Sequence, residues 1–171
     1  IVIGSFQKDG IGWGEGLEPK LIKGPDIFLK VIGRLKPEIP DLPDGQAGLW
    51  VLLSGPSRGF VKKGLDSLGI PYRHRYLKSS PELTDLYDAL DLYIVSSREE
   101  GGPKAVLESM AKGIPLVTTE VGQAKDLVIN GKNAMMSPRE DATGLFTNSA
   151  EILRNGALRT SLVKEGFVAA R

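Results

Sequence analysis

Short apolar runs alternate with stretches of helical period along the whole chain. "IVIGSF" (1–6) is a continuous apolar run followed by a glycine-rich segment, the pattern of a buried strand. From Pro25 the period changes: Ile27, Phe28, Val31, Ile32 and Leu35 recur at helical spacing, and Pro25 suits a first helical turn. "LWVLLSG" (49–55) is a second apolar run, and "SRGFVKKGLDSLG" reads as a helix with Phe60, Val61, Leu65 and Leu68 inward. "PYRHRYL" (71–77) is a third, less apolar strand. Ser79 precedes Glu82 by three residues, a capping-box pattern, and Leu83, Leu86, Tyr87 and Leu90 follow on one helical face. "LYIVSS" (92–97) reads as a strand, 103–112 as a helix and "PLVTT" (115–119) as a strand. "GQAKDLVI" is a short helix and "NAMMS" (133–137) a weak last strand. From Asp141 the tail predicts one or two helices, with Leu145, Phe146, Ile152, Leu153, Leu158, Leu162, Val163 and Phe167 as their apolar content.

Strand–helix alternation with continuous apolar strands predicts a parallel sheet covered on both faces. The expected class is α/β: a three-layer, Rossmann-like, doubly wound parallel sheet of about six strands, with ligands outside the carboxyl ends of the strands. The segment "PEIPDLPDGQAG" (37–48) is a proline-rich surface loop rather than a domain linker, because both flanks are needed for one sheet. The chain is therefore expected to be one domain, as 171 residues suggest. It opens without Met, directly in the apolar "IVIG", and reads as a fragment cut at a domain boundary.

Composition narrows the classes. Hydrophobic residues at 41% and charged residues at 25% are ordinary for a soluble globular domain. A net charge of +1 gives no argument for a nucleic-acid partner. The absence of cysteine removes disulfides and thiolate metal sites, which fits a cytoplasmic setting. A single histidine, His74, excludes a histidine-rich metal centre. No run of about 18 apolar residues is present to span a bilayer.

The candidate chemistry sits in "SSREEGGPKAVLESMAKGIPLVTTEVGQ" (96–123). In the expected fold, "REEGGP" falls where the sheet's carboxyl edge meets a helix start. Helix starts leave backbone N–H groups unpaired and carry partial positive charge, so they bind phosphate. Gly101 and Gly102 permit close approach of a ligand to the backbone. Pro103 wastes no N–H at the first helical position, which points to the amides of Lys104, Ala105 and Val106. Glu100 precedes the helix and Glu108 lies over a turn inside it, about 8 Å further along. Each carboxylate can accept hydrogen bonds from a diol, which suits a pyrophosphate with a ribose on one side and a sugar on the other. Two glutamates near a helix start are also compatible with a solvated helix end. The glycines at 10, 12, 14 and 16 do not form a dinucleotide-type G-x-G-x-x-G opening a helix.

The stretch "SSREEGGPKAVLESMAKGIPLVTTEVGQAKDLVINGKNAMM" resembles the carboxyl-terminal domain of "group 1" retaining glycosyltransferases, one half of the GT-B fold. The hallmark is matched by Glu100, Glu108, Ser109, Met110, Ala111, Gly113 and Pro115. "TEVGQ", "GPSRG" (55–59) and "LYDALDLYIVSS" resemble further family segments, so the likeness runs along nearly the whole chain. The resemblance implies that Glu100 contacts donor-sugar hydroxyls and that Glu108 binds the nucleotide ribose. It implies that backbone at Gly101, Gly102, Ala105 and Val106 holds the pyrophosphate or sugar. "LIKGPD" supplies the family's Lys, Gly and Asp as Lys23, Gly24 and Asp26. The family's Arg slot, however, holds Ser5 after Gly4, and Lys8 is the nearest substitute cation. The nucleotide base is expected near Tyr76 to Lys78, with Leu77 as the central contact. The loop "QKDGIGWGEGLEPKLIKG" is expected to be a surface insertion, with a mobile flap presenting Trp13 as the alternative.

The resemblance implies an enzyme that moves a sugar from a nucleotide diphosphate to an acceptor with retention, using no metal or other cofactor. Its partners would be the nucleotide sugar and an amino-terminal acceptor domain of the same protein. The intact enzyme would be cytoplasmic, with peripheral attachment to a membrane's inner face compatible with that reading, and the fragment alone would bind without turnover. Two rivals share the fold: a non-hydrolysing sugar-nucleotide epimerase, and a non-catalytic nucleotide-binding or interaction module.

Overall fold

Six strands form one sheet in the order β3-β2-β1-β4-β5-β6, with every neighbouring pair parallel. They are β1 (Val2–Phe6), β2 (Trp50–Ser54), β3 (Tyr72–Arg75), β4 (Leu92–Val95), β5 (Leu116–Thr119) and β6 (Met135–Ser137). The computed structural model describes residues 1–77, 80–102 and 104–171. The helices are α1 (Pro25–Leu35), α2 (Gly59–Leu68), α3 (Ser80–Tyr87), α4 (Lys104–Ala111), α5 (Ala124–Leu127), α6 (Ala142–Arg154) and α7 (Gly156–Ala169). The expected α/β, doubly wound, three-layer sheet is therefore present.

The sheet is covered on both faces because its strands send successive apolar side chains to opposite sides. Val51 and Leu53 of β2, Leu92 and Ile94 of β4, and Val117 of β5 face one cluster, which α1, α2 and α6 complete. Leu52, Tyr93, Val95 and Leu116 face the other, which holds Tyr87, Val106 and Met110. The helix α7 places Leu162 in the first cluster, and Ala170, just past its end, packs against the second.

Local chemistry sets the boundaries. Pro25 opens α1 after Gly24, whose left-handed backbone (φ 62°) reverses the chain beneath Ser96. Gly69, also left-handed, ends α2. That stop leaves Leu68 at the helix terminus and 38% exposed, so it is not the inward residue its spacing suggests. Asp141 and Asn155 cap α6 and α7, their side chains accepting from the N–H of Gly144 and of Leu158. The proposed capping partner Ser79 lies outside the described residues.

The loop at 7–24 folds into a docked hairpin. Gly10 and Pro19 bridge antiparallel, Ile11 N donates to Glu18 O at 2.9 Å and Lys20 N to Asp9 O at 2.8 Å. The start of α2 donates into it: Gly59 N to Glu15 O at 2.7 Å and Phe60 N to Gly16 O at 2.8 Å. Helix-start amides thus gain backbone acceptors and the loop gains a fixed seat. It is a seated surface hairpin, with its Trp13 82% exposed.

Candidate functional site

The strand order reverses between β1 and β4: the chain winds from β1 toward β3 on one side and from β4 toward β6 on the other. Loops leaving these neighbouring strands separate, and a crevice opens between them at the carboxyl edge. A cleft of 340 Å³ lies there. It is lined by Phe6, Gln7 and Lys8 after β1, by Lys20 and Lys23, and by Glu100, Gly102, Lys104, Ala105 and Glu108 around the start of α4, with Leu83, Tyr93, Ile94 and Val95 as its apolar lining. A larger hollow of 420 Å³ touches Asp91 and Pro115, which precede β4 and β5, and so opens at the opposite edge of the sheet. In the cleft at the carboxyl edge four lysines converge with Glu100 and Glu108.

Each glutamate is held in place. Glu100 Oε1 accepts from Lys23 Nζ at 2.5 Å and from Ser97 Oγ at 3.0 Å. Glu108 Oε2 accepts from the phenol of Tyr87 at 2.9 Å. Among the described residues the second oxygen of each carboxylate has no hydrogen-bond partner. Tyr87 packs edge-on against Phe6 (4.9 Å between centroids), and Phe6 against Tyr93 (5.4 Å). Burial first, then the neighbouring phenol and the Glu108 carboxylate, push the Tyr87 phenol far above its ordinary range, so it stays a donor. The Tyr93 phenol accepts from Phe6 N at 2.7 Å and fixes the end of β1.

Lys23 is positioned from both sides. The turn carrying it (Leu21–Lys23) accepts from the N–H groups of Arg98 (2.8 Å) and Glu99 (3.1 Å) at Ile22 O. The Arg98 guanidinium donates to Leu21 O at 2.7 Å and grips both oxygens of Asp26 at 2.8 Å. That fork holds the Asp26 carboxyl below its ordinary value of 3.8. Beneath the glutamate loop, Gly122 (φ 45°) lies so close to Glu100 O that a Cβ would collide with it, and Gln123 N donates to Gly101 O at 3.1 Å.

The structure brings seven of the sequence-derived site residues into the cleft: Lys8, Lys23, Glu100, Gly102, Lys104, Ala105 and Glu108. Five others do not line it. Gly4 packs under Leu90 and Tyr93, where any side chain would clash, and Ser5 is 1% exposed below the cleft floor. Val106 points its side chain into the second core cluster, which leaves its backbone alone for a ligand. Gly101 is exposed outside the lining and Leu77 stands after β3. Pro103 and Lys78 lie outside the described residues. His74 is occupied structurally, its Nε2 2.8 Å from Gly55 O.

Several participants escape a reading by spacing. Lys20 reaches the cleft because the hairpin returns its chain to Asp9. Tyr87 becomes the Glu108 partner through the packing of α3 against α4. Arg58 of "GPSRG" is fully buried below Ser5, with Nη1 donating to Ser5 O (2.5 Å) and Ser54 O (2.7 Å) and Nη2 to Ser5 Oγ (3.1 Å). Its Nε stands 2.9 Å from Asp9 Oδ1, as an ion pair rather than an aligned hydrogen bond. Desolvation dominates both members, raising the Asp9 carboxyl and lowering the Arg58 guanidinium. The guanidinium thus occupies the space beside Ser5 but is neutralised there, away from the cleft.

Among the described residues no cluster of three or more metal-ligating side chains occurs, and no helix is long and apolar enough to cross a membrane. The sequence profile of the family "Glycosyl transferases group 1" matches residues 17–168. The chain is 34% identical over 154 residues to a lipopolysaccharide core biosynthesis mannosyltransferase, LpsB, of Rhizobium meliloti, covering 81% of this chain and 43% of that one. The chain spans 35–43% of the length of the first curated relatives it matches. Its fold matches the carboxyl-terminal domain of a group 1 glycosyl transferase from Francisella tularensis, with a TM-score of 0.76 at 16% identity, over 98% of this chain and 83% of that one. It also matches Anabaena HepE, solved in complex with UDP-glucose, with a TM-score of 0.76 at 18% identity, over 99% of this chain and 43% of that one. With its six-stranded Rossmann-like sheet and its paired glutamates, the chain belongs to the group 1 family of glycosyl transferases.

Proposed function

We propose that this chain is the donor-binding half of a retaining GT-B glycosyltransferase, and that its cleft holds a nucleotide-diphosphate sugar. The observation that carries the reading is the convergence of Glu100, Glu108, Lys23 and the start of α4 in one crevice at the β1/β4 switch point. The diphosphate lies against the opening of α4, where the backbone dipole and Lys23 offset its charge. Glu108 takes ribose hydroxyls with the oxygen that Tyr87 leaves open. Glu100 takes sugar hydroxyls while keeping Lys23 beside the leaving phosphate. In transfer with retention, the bond from the sugar's anomeric carbon to the diphosphate oxygen breaks while the acceptor oxygen bonds to that carbon on the same face, the acceptor's hydroxyl proton passes to the departing diphosphate oxygen, and negative charge grows on the diphosphate as it leaves. Stabilising that charge is where Lys23 and the helix opening act. The acceptor and further catalytic groups belong to an amino-terminal domain, whose closure excludes water. The reaction proceeds without a metal, so a chelator should leave transfer by the intact enzyme unchanged.

Calorimetric titration of UDP, GDP and ADP, and of the sugar conjugates of whichever binds, tests this reading. Glu108→Ala should weaken every nucleotide, because the ribose contact is common to all. Glu100→Ala should weaken only the sugar-bearing ligands. Equal affinity of wild type and both variants for a nucleotide sugar would reject the assignment.

A further inference from the structure

Four lysines line the cleft, Lys8, Lys20, Lys23 and Lys104. Only Lys23 has a carboxylate partner among the described residues. Lys8 Nζ lies 3.6 Å from the centroid of the exposed Trp13 ring, a cation–π contact that fixes its direction. Lys20 stands opposite Asp9, the residue after Lys8, and its N–H donates to the Asp9 carbonyl at 2.8 Å. The two lysines stand one position out of register on the two strands at the base of one hairpin, and both line the cleft.

That base is rigid. Asp9 is tied from below to buried Arg58, and the hairpin is seated on the start of α2. Like charges held together in a concave site raise the local concentration of anions and favour an anionic occupant. On the proposed function above, the anion is the diphosphate of the donor. We infer that Lys20 and Lys8, presented as a pair by the hairpin at 9–20, are binding cations for that diphosphate, and that Trp13 is the positioning residue for Lys8. The pair supplies from the hairpin the positive charge that Ser5 does not carry and that Arg58 spends on Asp9.

The test is calorimetric titration of UDP, UMP and uridine into wild type, Lys20→Gln, Lys20→Arg, Lys8→Gln and Trp13→Ala, with the guanosine or adenosine series replacing these if the panel selects that base. Lys20→Gln and Lys8→Gln should each weaken UDP about tenfold, the effect of one charge-assisted contact, with a smaller effect on UMP and none on uridine. Lys20→Arg should restore most of the affinity. Trp13→Ala should weaken UDP about threefold, as expected of an exposed cation–π contact, and add nothing in a Lys8→Gln background. The UDP difference between wild type and the lysine variants should shrink as salt rises from about 0.05 to about 0.5 M. A Lys20→Gln protein that binds UDP within about twofold of wild type overturns the inference, as does an equal loss for uridine. If Glu108→Ala still weakens uridine while the lysine variants change nothing, the nucleotide site stands and this assignment falls. If wild type binds no member of the panel, both fall.

Discussion

Replacing Asp9 by asparagine deletes one charge of the buried pair and leaves the guanidinium of Arg58, fully buried, without a counter-ion. At 2.9 Å and an effective dielectric of about 20, the pair attracts by about 6 kcal/mol, which roughly offsets a desolvation cost of several kcal/mol per ion. The pair is thus near break-even as a unit, while loss of one partner exposes the full penalty of the other. Asp9→Asn should therefore destabilise the chain by about 3–5 kcal/mol, or roughly 6–20 °C in Tm for a domain of this size. Arg58→Met should be comparably damaging near neutrality, and the double variant should recover most of the loss. Acidity separates the two singles. Burial already raises the Asp9 carboxyl above 3.8, and removing Arg58 takes away what lowers it. A raised native pKa means that the folded state binds the proton more tightly, so stability falls as pH rises through that pKa. Arg58→Met should consequently be least harmful near pH 3.8 and increasingly harmful above it. Urea unfolding of the four proteins across pH supplies the measurement. A loss under about 1 kcal/mol for Asp9→Asn, or additive single effects in the cycle, would refute the reasoning.

Three further outcomes follow from the site. Tyr87→Phe keeps the ring packing but removes the donor to Glu108, and should weaken nucleotide binding about tenfold or less, read by calorimetry. Gly24→Ala places a Cβ against Ser96 O at a left-handed position, and should cost about 1–3 kcal/mol or more in urea unfolding while displacing Lys23 and weakening nucleotide diphosphates. Asp26 has its pKa lowered by Arg98, so its contribution is complete above 3.8 and is lost as pH falls below that value; Asp26→Asn should flatten this part of the acid unfolding profile.

The hydrophobic pattern alone revealed the strands, the helices and their parallel arrangement. Continuous runs such as "LWVLLSG" can be satisfied only with apolar cover on both faces. The glutamate pair was also legible, because Glu100, the glycines and Glu108 lie within one local segment around a single helix start. Helix interruption by Gly69 was a local signal too, although the exposure of Leu68 depended on where that stop fell.

What spacing could not convey was the meeting of distant segments. The switch point sets residues after β1 beside residues after β4, so Lys8, Lys20 and Lys23 line one cleft with Glu100 and Glu108, which stand 77 to 100 positions further along the chain. Nothing in "GPSRG" marks Arg58 by spacing, but packing buries it under Ser5 and gives it Asp9 as its counter-ion. The glycine-rich loop looked like an insertion or flap, and became a seated hairpin because the start of α2 needed acceptors that its carbonyls could offer. Periodicity reports which side of an element faces the core. Which elements stand next to one another is settled by backbone pairing and close packing, and that neighbourhood is where the cleft and its charges come from.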